Sequence, residues 1–335
     1  MTIDTLTESP AAKPVAASAP QSAPQSAPLR RAAASGPEIV PAELPEAPTV
    51  GMGGWGVARA LSRLVAFLLW TALLSPVQVL ALRLRAFGIA PGLALSVPVL
   101  FHRGLLRILG ITVEIRGAAP APAPVLIVSN HVSWLDIVIL STVRPLSFVS
   151  KAEVADWPFF GWLSRLQRTL YVERERRHKA GEHRDGIAAR LAEGDALVLF
   201  PEGTSGDGNR LRPFKTALFS AAETKVARPD GTLRPVLVQP WTIAFTGLNG
   251  MPMGQDMRPF FAWYGDMELA PHLWQMVQLG PFTVKVELHP PVTLDDFANR
   301  KVLAAHCQHD VAKGLSRALA GREEPPAYVL GRPQG

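Results

Sequence analysis

Between Arg63 and Arg83 the chain carries no charged residue, running from Leu64 through Trp70 to Leu82. After Arg83 and Arg85 a second uncharged stretch extends from Ala86 to Phe101. In hydrocarbon a backbone must satisfy its own amides, which makes such a run helical, and the first is just long enough to cross about 30 Å of lipid. Pro76 removes an amide donor inside it, and Pro91, Gly92 and Pro98 interrupt the second stretch in the same way. The pattern therefore favours short helices lying in or dipping into one leaflet over a full span, whether single or hairpin. Trp55 and Trp70 would then sit at headgroup depth, with Arg59, Arg63, Arg83, Arg85 and Arg103 on anionic lipid. A buried core helix is the competing reading. Residues 51–104 are taken as this membrane-associated segment.

Residues 1–50 are the opposite case, rich in proline and alanine, without an aromatic residue, and carrying the doublet Ala19-Pro20-Gln21-Ser22, Ala23-Pro24-Gln25-Ser26. They offer too little bulky apolar surface to offset the entropy of ordering, which predicts a disordered tail. Asp4 and Glu8 occupy the place of a basic leader region and no apolar region follows, so a signal peptide is not expected. Setting aside this tail (Lys13, Arg30 and Arg31 against Asp4, Glu8, Glu38, Glu43 and Glu46) raises the formal net charge from +6 to +8. That excess suits an anionic partner, and the adjoining apolar runs point to membrane lipid. No nucleic-acid motif accompanies the basic residues, and Gly51-x-Gly53-Gly54-x-Gly56 follows no strand, so no nucleic-acid or nucleotide partner is expected. One cysteine, Cys307, excludes an intramolecular disulfide and favours a cytosol-facing protein. The expected location is the cytoplasmic face of the inner or plasma membrane.

From about Thr112 short β-branched runs alternate with amphipathic stretches, the pattern of an α/β domain. Strands are predicted at Thr112–Arg116, Val125–Ser129, Leu146–Ser150, Thr169–Glu173, Ala196–Phe200, Pro235–Phe245 and Thr283–Leu288. Helices are predicted at Ser133–Thr142, Arg177–Glu193, Pro213–Thr224 and Leu294–Leu319, the last with Leu303, Cys307, Val311, Leu315 and Leu319 on one face. The domain is expected over 105–325, with 326–335 as a C-terminal tail.

Two stretches carry chemistry. Val125 to Asp136 is an apolar strand that delivers His131 into a turn at its carboxyl end, where α/β sheets place ligand-handling groups. Residues five apart on one helix diverge by about 140°, so His131 meets Asp136 only if the histidine stays in the turn and the carboxylate rides the following helix. A carboxylate on one imidazole nitrogen leaves the other as a base. The bland alternative is a capping arrangement, Ser133-x-x-Asp136, beside a polar turn residue. The second stretch, Ala196 to Thr204, ends its strand in Phe200-Pro201-Glu202-Gly203-Thr204, with Lys215 following. Gly203-Thr-Ser205-Gly-Asp207 fails the Gly-x-Ser-x-Gly elbow of serine hydrolases, so no nucleophile is assigned. His306, Cys307 and His309 have metal-capable side chains, but Cys307 lies on the apolar helix face and no metal site is expected.

Asn130-His131-x4-Asp136 followed by Phe200-Pro201-Glu202-Gly203-Thr204 resembles the glycerolipid acyltransferase family, typified by 1-acyl-sn-glycerol-3-phosphate acyltransferases. Leu170-Tyr171-Val172-Glu173-Arg174 and Pro235 to Pro240 resemble its intermediate and last blocks, and the likeness covers about 105–290. It implies a mixed α/β sheet flanked by helices, behind N-terminal membrane helices. The implied reaction transfers a fatty acyl group from acyl carrier protein or coenzyme A to a lysolipid hydroxyl, with no bound cofactor. His131 is then the general base and Asp136 orients it, while Arg174, Glu202, Gly203, Thr204 and Lys215 shape the acceptor site. Where the family commonly has arginine after this motif the chain has Ser205, followed by Gly206-Asp207-Gly208. That departure weakens the case for a phosphate acceptor, because an arginine fork is the usual bidentate phosphate ligand. With Trp263-Tyr264-Gly265-Asp266-Met267-Glu268 and His272-Leu-Trp274, the loop more resembles the branch that acylates lyso-ornithine lipid. A thioester hydrolase using the same His/Asp pair, and a non-catalytic lipid-binding protein, are the other classes compatible with the chain.

Overall fold

The structure is a computed structural model that describes residues 53–172, 180–227, 231–322 and 324–331. The tail expected over 1–50 lies outside them.

In chain order the elements are α1 (Gly54–Ala86), α2 (Pro91–Leu109), β1 (Ile111–Gly117), β2 (Val125–Ser129), α3 (Leu135–Leu140), β3 (Ser147–Lys151), α4 (Phe160–Leu166), β4 (Leu170–Val172), α5 (Ala180–Ala192) and β5 (Ala196–Leu199). There follow β6 (Lys225–Ala227), β7 (Leu233–Pro235), β8 (Leu237–Leu248), β9 (Met251–Pro252), α6 (Arg258–Phe261), α7 (Leu269–Gln278), β10 (Phe282–Leu288), α8 (Arg300–Ala320) and β11 (Tyr328–Gly331). The main sheet runs β11-β1-β10-β8-β2-β5-β3-β4, with β9 hairpinned onto β8. It is mixed: β8, β2, β5, β3 and β4 are mutually parallel, whereas β10 meets β8, and β11 meets β1, antiparallel.

Period-two alternation assigns the two faces of the sheet. In β2, Val125 and Ile127 pack with Leu106, Val138 and Trp241 on the side of α2 and α3, whereas Leu126 and Val128 pack with Leu303, Cys307 and Val311 of α8 and with Leu191 of α5. Every residue of β2 is buried, as expected of a central parallel strand covered on both sides.

Differences from the sequence expectations each have a local cause. Residues 213–224 form no α-helix; a 3₁₀ segment, Thr216–Glu223, follows Lys215 instead. The expected helix from 294 is split into a 3₁₀ turn, Leu294–Asp296, and α8. Thr293 and Asp296 close a capping box, and the Asn299 side chain then caps α8 by accepting from the amides of Lys301 and Val302. The segment placed in a C-terminal tail supplies β11, which pairs with β1 from Thr112 to Ile115. The membrane-associated segment drawn to residue 104 continues in α2 to Leu109, where Gly110 at φ +73° ends the helix.

Pro76 sits inside α1 without dividing it. The helix is held from outside. Arg63 Nη1 donates to the carbonyls of Val277 (3.0 Å) and Leu279 (2.7 Å), and Arg59 reaches that of Gln278, all at the C-terminus of α7. Fifteen residues further on, Gln78 Nε2 donates to Leu166 O at the end of α4 (2.9 Å) and to Ala94 O of α2 (3.1 Å). Arg63 on α7 and Gln78 on α4 place donors on helix C-terminal carbonyls, the favourable polarity. Trp70 Nε1 donates to Phe101 O across the hairpin, and its ring lies so close to Gly104 that a Cβ there would stand 2.3 Å from Nε1. The opposite side of α1 is apolar and exposed, through Leu61, Val65, Leu69, Leu73 and Leu80. By length and composition α1 and α2 could each cross a membrane.

Candidate active site

β2 ends at Ser129, and the next side chain fixes the turn. Asn130 Oδ1 accepts from the amide of Ile243 and Nδ2 donates to its carbonyl, both at 2.9 Å, so the end of β2 is clamped to β8. His131 then stands in the turn while Asp136 rides the first turn of α3, the only arrangement in which the two can meet. Nδ1 of His131 lies 2.7 Å from Asp136 Oδ2, and the same oxygen accepts from the amides of Val132 (2.7 Å) and Ser133 (3.0 Å). Asp136 is fully buried; His131 keeps 20% of its side chain exposed. A carboxylate accepting two backbone amides takes its third donor from the imidazole, so the proton rests on Nδ1. Nε2 keeps its lone pair and makes no hydrogen bond among the described residues.

Phe200, at the end of β5, stacks beneath the His131 ring with centroids 4.1 Å apart and planes 13° apart. Its neighbour Glu202 joins the two motifs: Oε1 accepts from the His131 amide (2.7 Å) and Oε2 from the Arg212 amide (2.9 Å). Burial pushes the Glu202 carboxyl up to about 8 against these two hydrogen bonds, which act in the opposite direction. Gly203 needs its positive φ of +76°, and the Lys215 chain lies across it so closely that a Cβ would stand 2.5 Å from Nζ. Lys215 and Thr204 are exposed at this rim. Arg174 lies outside the described residues.

The loop after Thr204 returns to the turn. Gly206 N donates to His131 O (2.9 Å), Trp263 N donates to Val132 O (2.9 Å), and the Ser205 hydroxyl turns inward to Trp263 O. Ser205, at the place of the expected arginine, is thus buried and engaged with backbone. Cys307 lies in the α8 face of the core with its thiol pushed up to about 12 by burial, which suits neither a nucleophile nor a metal ligand.

On the other side of α3, Trp134, Ile137 and Val138 face an almost wholly apolar, partly open cavity of about 400 Å³, walled by α1, α2, α4 and α7. It extends along α1 from Arg63 to Gln78, about 22 Å of helix. One six-residue stretch therefore carries a buried carboxylate on one face and a hydrocarbon-compatible wall on the other. Sequence reasoning found His131, Asp136 and Glu202 but missed the support from Phe200 and the cavity itself, whose walls are distant in the chain. The apolar i, i+3, i+4 stripe 134–137–138 was the available signal.

These features can be set beside known proteins. The sequence model of a family described as Acyltransferase matches residues 110–243. The chain is 43% identical over 272 residues to a lyso-ornithine lipid O-acyltransferase of Brucella abortus, covering 81% of this chain and 99% of that protein. It is 32% identical to a 1-acyl-sn-glycerol-3-phosphate acyltransferase of Neisseria meningitidis, over 55% of this chain and 67% of the other. The crystal structure of the 1-acyl-sn-glycerophosphate acyltransferase from Thermotoga maritima, at 20% identity, superposes with a TM-score of 0.54 over 79% of this chain and 99% of that one, a likeness of fold. With a relative matched over nearly its whole length and a His/Asp pair at the end of the central strand, the chain belongs to the acyltransferase family and is an acyltransferase.

Proposed function

We propose that the enzyme transfers a fatty acyl group from a thioester, carried by acyl carrier protein or coenzyme A, to the hydroxyl of lyso-ornithine lipid. The observation that carries this reading is the pairing of His131 with Asp136, which leaves Nε2 as a base, with an apolar cavity on the other side of α3 that suits a long hydrocarbon chain. His131 Nε2 takes the acceptor's hydroxyl proton as its oxygen attacks the thioester carbonyl. The tetrahedral intermediate expels the thiolate, which recovers the proton from His131, so the base is regenerated without a covalent acyl-enzyme. The acceptor enters over the rim of Thr204, Gly203 and Lys215, Arg174 contributes to its binding, and no bound cofactor takes part. The inward-turned Ser205 supports a headgroup without phosphate, and so does the relationship to the Brucella protein.

The membrane placement follows the same logic. α1 is fastened to the domain at both Arg63 and Gln78, while its outer side is apolar and exposed. That combination supports monotopic insertion into the cytoplasmic leaflet over a span. Replacing Leu69 and Leu73 with aspartate is expected to release the protein from anionic liposomes in a flotation assay, with its melting temperature nearly unchanged.

The reaction is tested with labelled acyl donor supplied in parallel with lyso-ornithine lipid and lysophosphatidic acid, using His131→Ala as the blank. Label in diacylated ornithine lipid supports the proposal. Label in phosphatidic acid alone reassigns the acceptor, and release of free fatty acid independent of lysolipid would make the protein a thioester hydrolase.

A further inference from the structure

Trp134 stands midway between His131 and Asp136 and takes part in neither the proton transfer nor its support. Its indole N–H is donated to Nδ1 of His272, on α7, at 3.0 Å, with the two rings perpendicular and their centroids 6.4 Å apart. An indole is a donor only, so Nδ1 of His272 must be the accepting nitrogen and the proton must lie on Nε2. That nitrogen meets the Phe260 carbonyl at 3.2 Å and donates to it. The imidazole therefore reads in one direction, from Trp134 through His272 to the backbone of α6. His272 is 2% exposed, and burial lowers its pKa, so it stays in this neutral form at physiological pH.

The pair lies where chemistry and cavity meet. Trp134 lines the cavity together with Ile137 and Val138, on the face of α3 turned away from Asp136, and Leu269, Leu273 and Val277 of α7 line it from across. Of these, Trp134 is the one that lies between His131 and Asp136 in the chain. An unpaired buried indole N–H is costly, so losing the His272 acceptor would drive the ring to another rotamer and change the cavity wall.

We propose that Trp134, held by His272, selects the acyl chain: the indole touches the bound chain near the reacting carbonyl, and His272 is a positioning residue acting through it. The proposal rests on the acyl-transfer reading given above. Loss of the hydrogen bond reshapes the cavity and alters the discrimination among chains, while His131 and Asp136 keep their geometry because they hang from β2 and from the amides of their own turn.

His272→Leu is expected to change the ratio of kcat/KM between long and short saturated acyl donors by roughly tenfold, the lower end of what small changes in an apolar pocket produce, while kcat with the best donor changes little. Trp134→Phe, which deletes the N–H and keeps an aromatic wall, should shift the same ratio in the same direction. The double variant should fall short of the product of the two singles, since both remove one interaction. His272→Gln should restore the wild-type ratio, because its amide oxygen can accept from the indole and its nitrogen can donate to Phe260 O. The same chain-length series is measured by competition between unreactive thioether analogues for binding, without turnover. A His272→Leu profile that falls in parallel for every chain length, or singles that multiply, would overturn the proposal in favour of a purely structural contact. Wild-type protein that acylates no lysolipid would overturn the reaction assigned above, and the binding series would still decide the role of the pair.

Discussion

An Asp136→Asn enzyme is expected to melt within a few degrees of wild type and to lose roughly 10³- to 10⁴-fold in kcat, the scale seen when a triad carboxylate becomes an amide. The asparagine oxygen can still accept from the amides of Val132 and Ser133, so the turn that Asp136 Oδ2 now holds together survives. The same oxygen would still face His131 Nδ1, since one carboxylate oxygen makes all three bonds, but it would carry no charge. The imidazolium that forms when Nε2 takes the hydroxyl proton then loses its counter-charge, and the transfer slows. Thermal melts and steady-state kinetics on one preparation separate the two effects. A large drop in melting temperature, or activity within tenfold of wild type, would contradict this role of the carboxylate. Asp136→Ala should lose both, because three donors at a fully buried site are left without an acceptor.

Glu202 should produce the largest change in stability. Its two oxygens satisfy the amides of His131 and Arg212, and replacing it with alanine leaves both half-buried N–H groups unpaired, at a cost of about 2–4 kcal/mol. The effect on activity follows from the same loss, since the His131 backbone would be free to drift from Asp136. Its titration carries a separate signature. With the folded carboxyl pushed up to about 8 from its usual 4.5, the folded state holds a proton that the unfolded chain has already lost across that window. Stability therefore falls as pH rises from about 4.5 to 8 and levels off above, by linkage. Glu202→Gln costs one hydrogen bond but does not titrate, so chemical-denaturation profiles between pH 5 and 8 should be flatter for the variant than for wild type. Equal slopes would place the carboxyl in its ordinary range.

Most strands were legible because burial on both faces makes them continuous apolar runs, as with Val125–Ser129 and Ala196–Leu199. The helices were less legible. α3 is shorter than its hydrophobic pattern because residues 131–134 are drawn into the turn that closes on Asp136, and α6 and α7 left no sequence expectation. β11 was read as tail because a short edge strand has no second sheet neighbour to demand an apolar pattern. Pro76 argued for a break in α1, yet its local penalty is outweighed by anchors at Arg63 and Gln78 whose partners lie some 90 to 215 positions away.

The site divides along the same line. His131, Asp136 and Glu202 declare themselves because the chemistry requires particular atoms at the ends of recognisable strands, and the spacing of five between His131 and Asp136 already confines the histidine to a turn. Residue types and their order thus determined the family and the mixed α/β domain, and pointed to the His131/Asp136 pair. Only the tertiary structure decided which way Ser205 turns, what supports the imidazole from below, and that α1, α2, α4 and α7 wall a cavity behind the catalytic turn. A motif is local and is written in consecutive residues, whereas a cavity is the space left between surfaces distant in the chain, and its shape depends on packing that no single segment encodes.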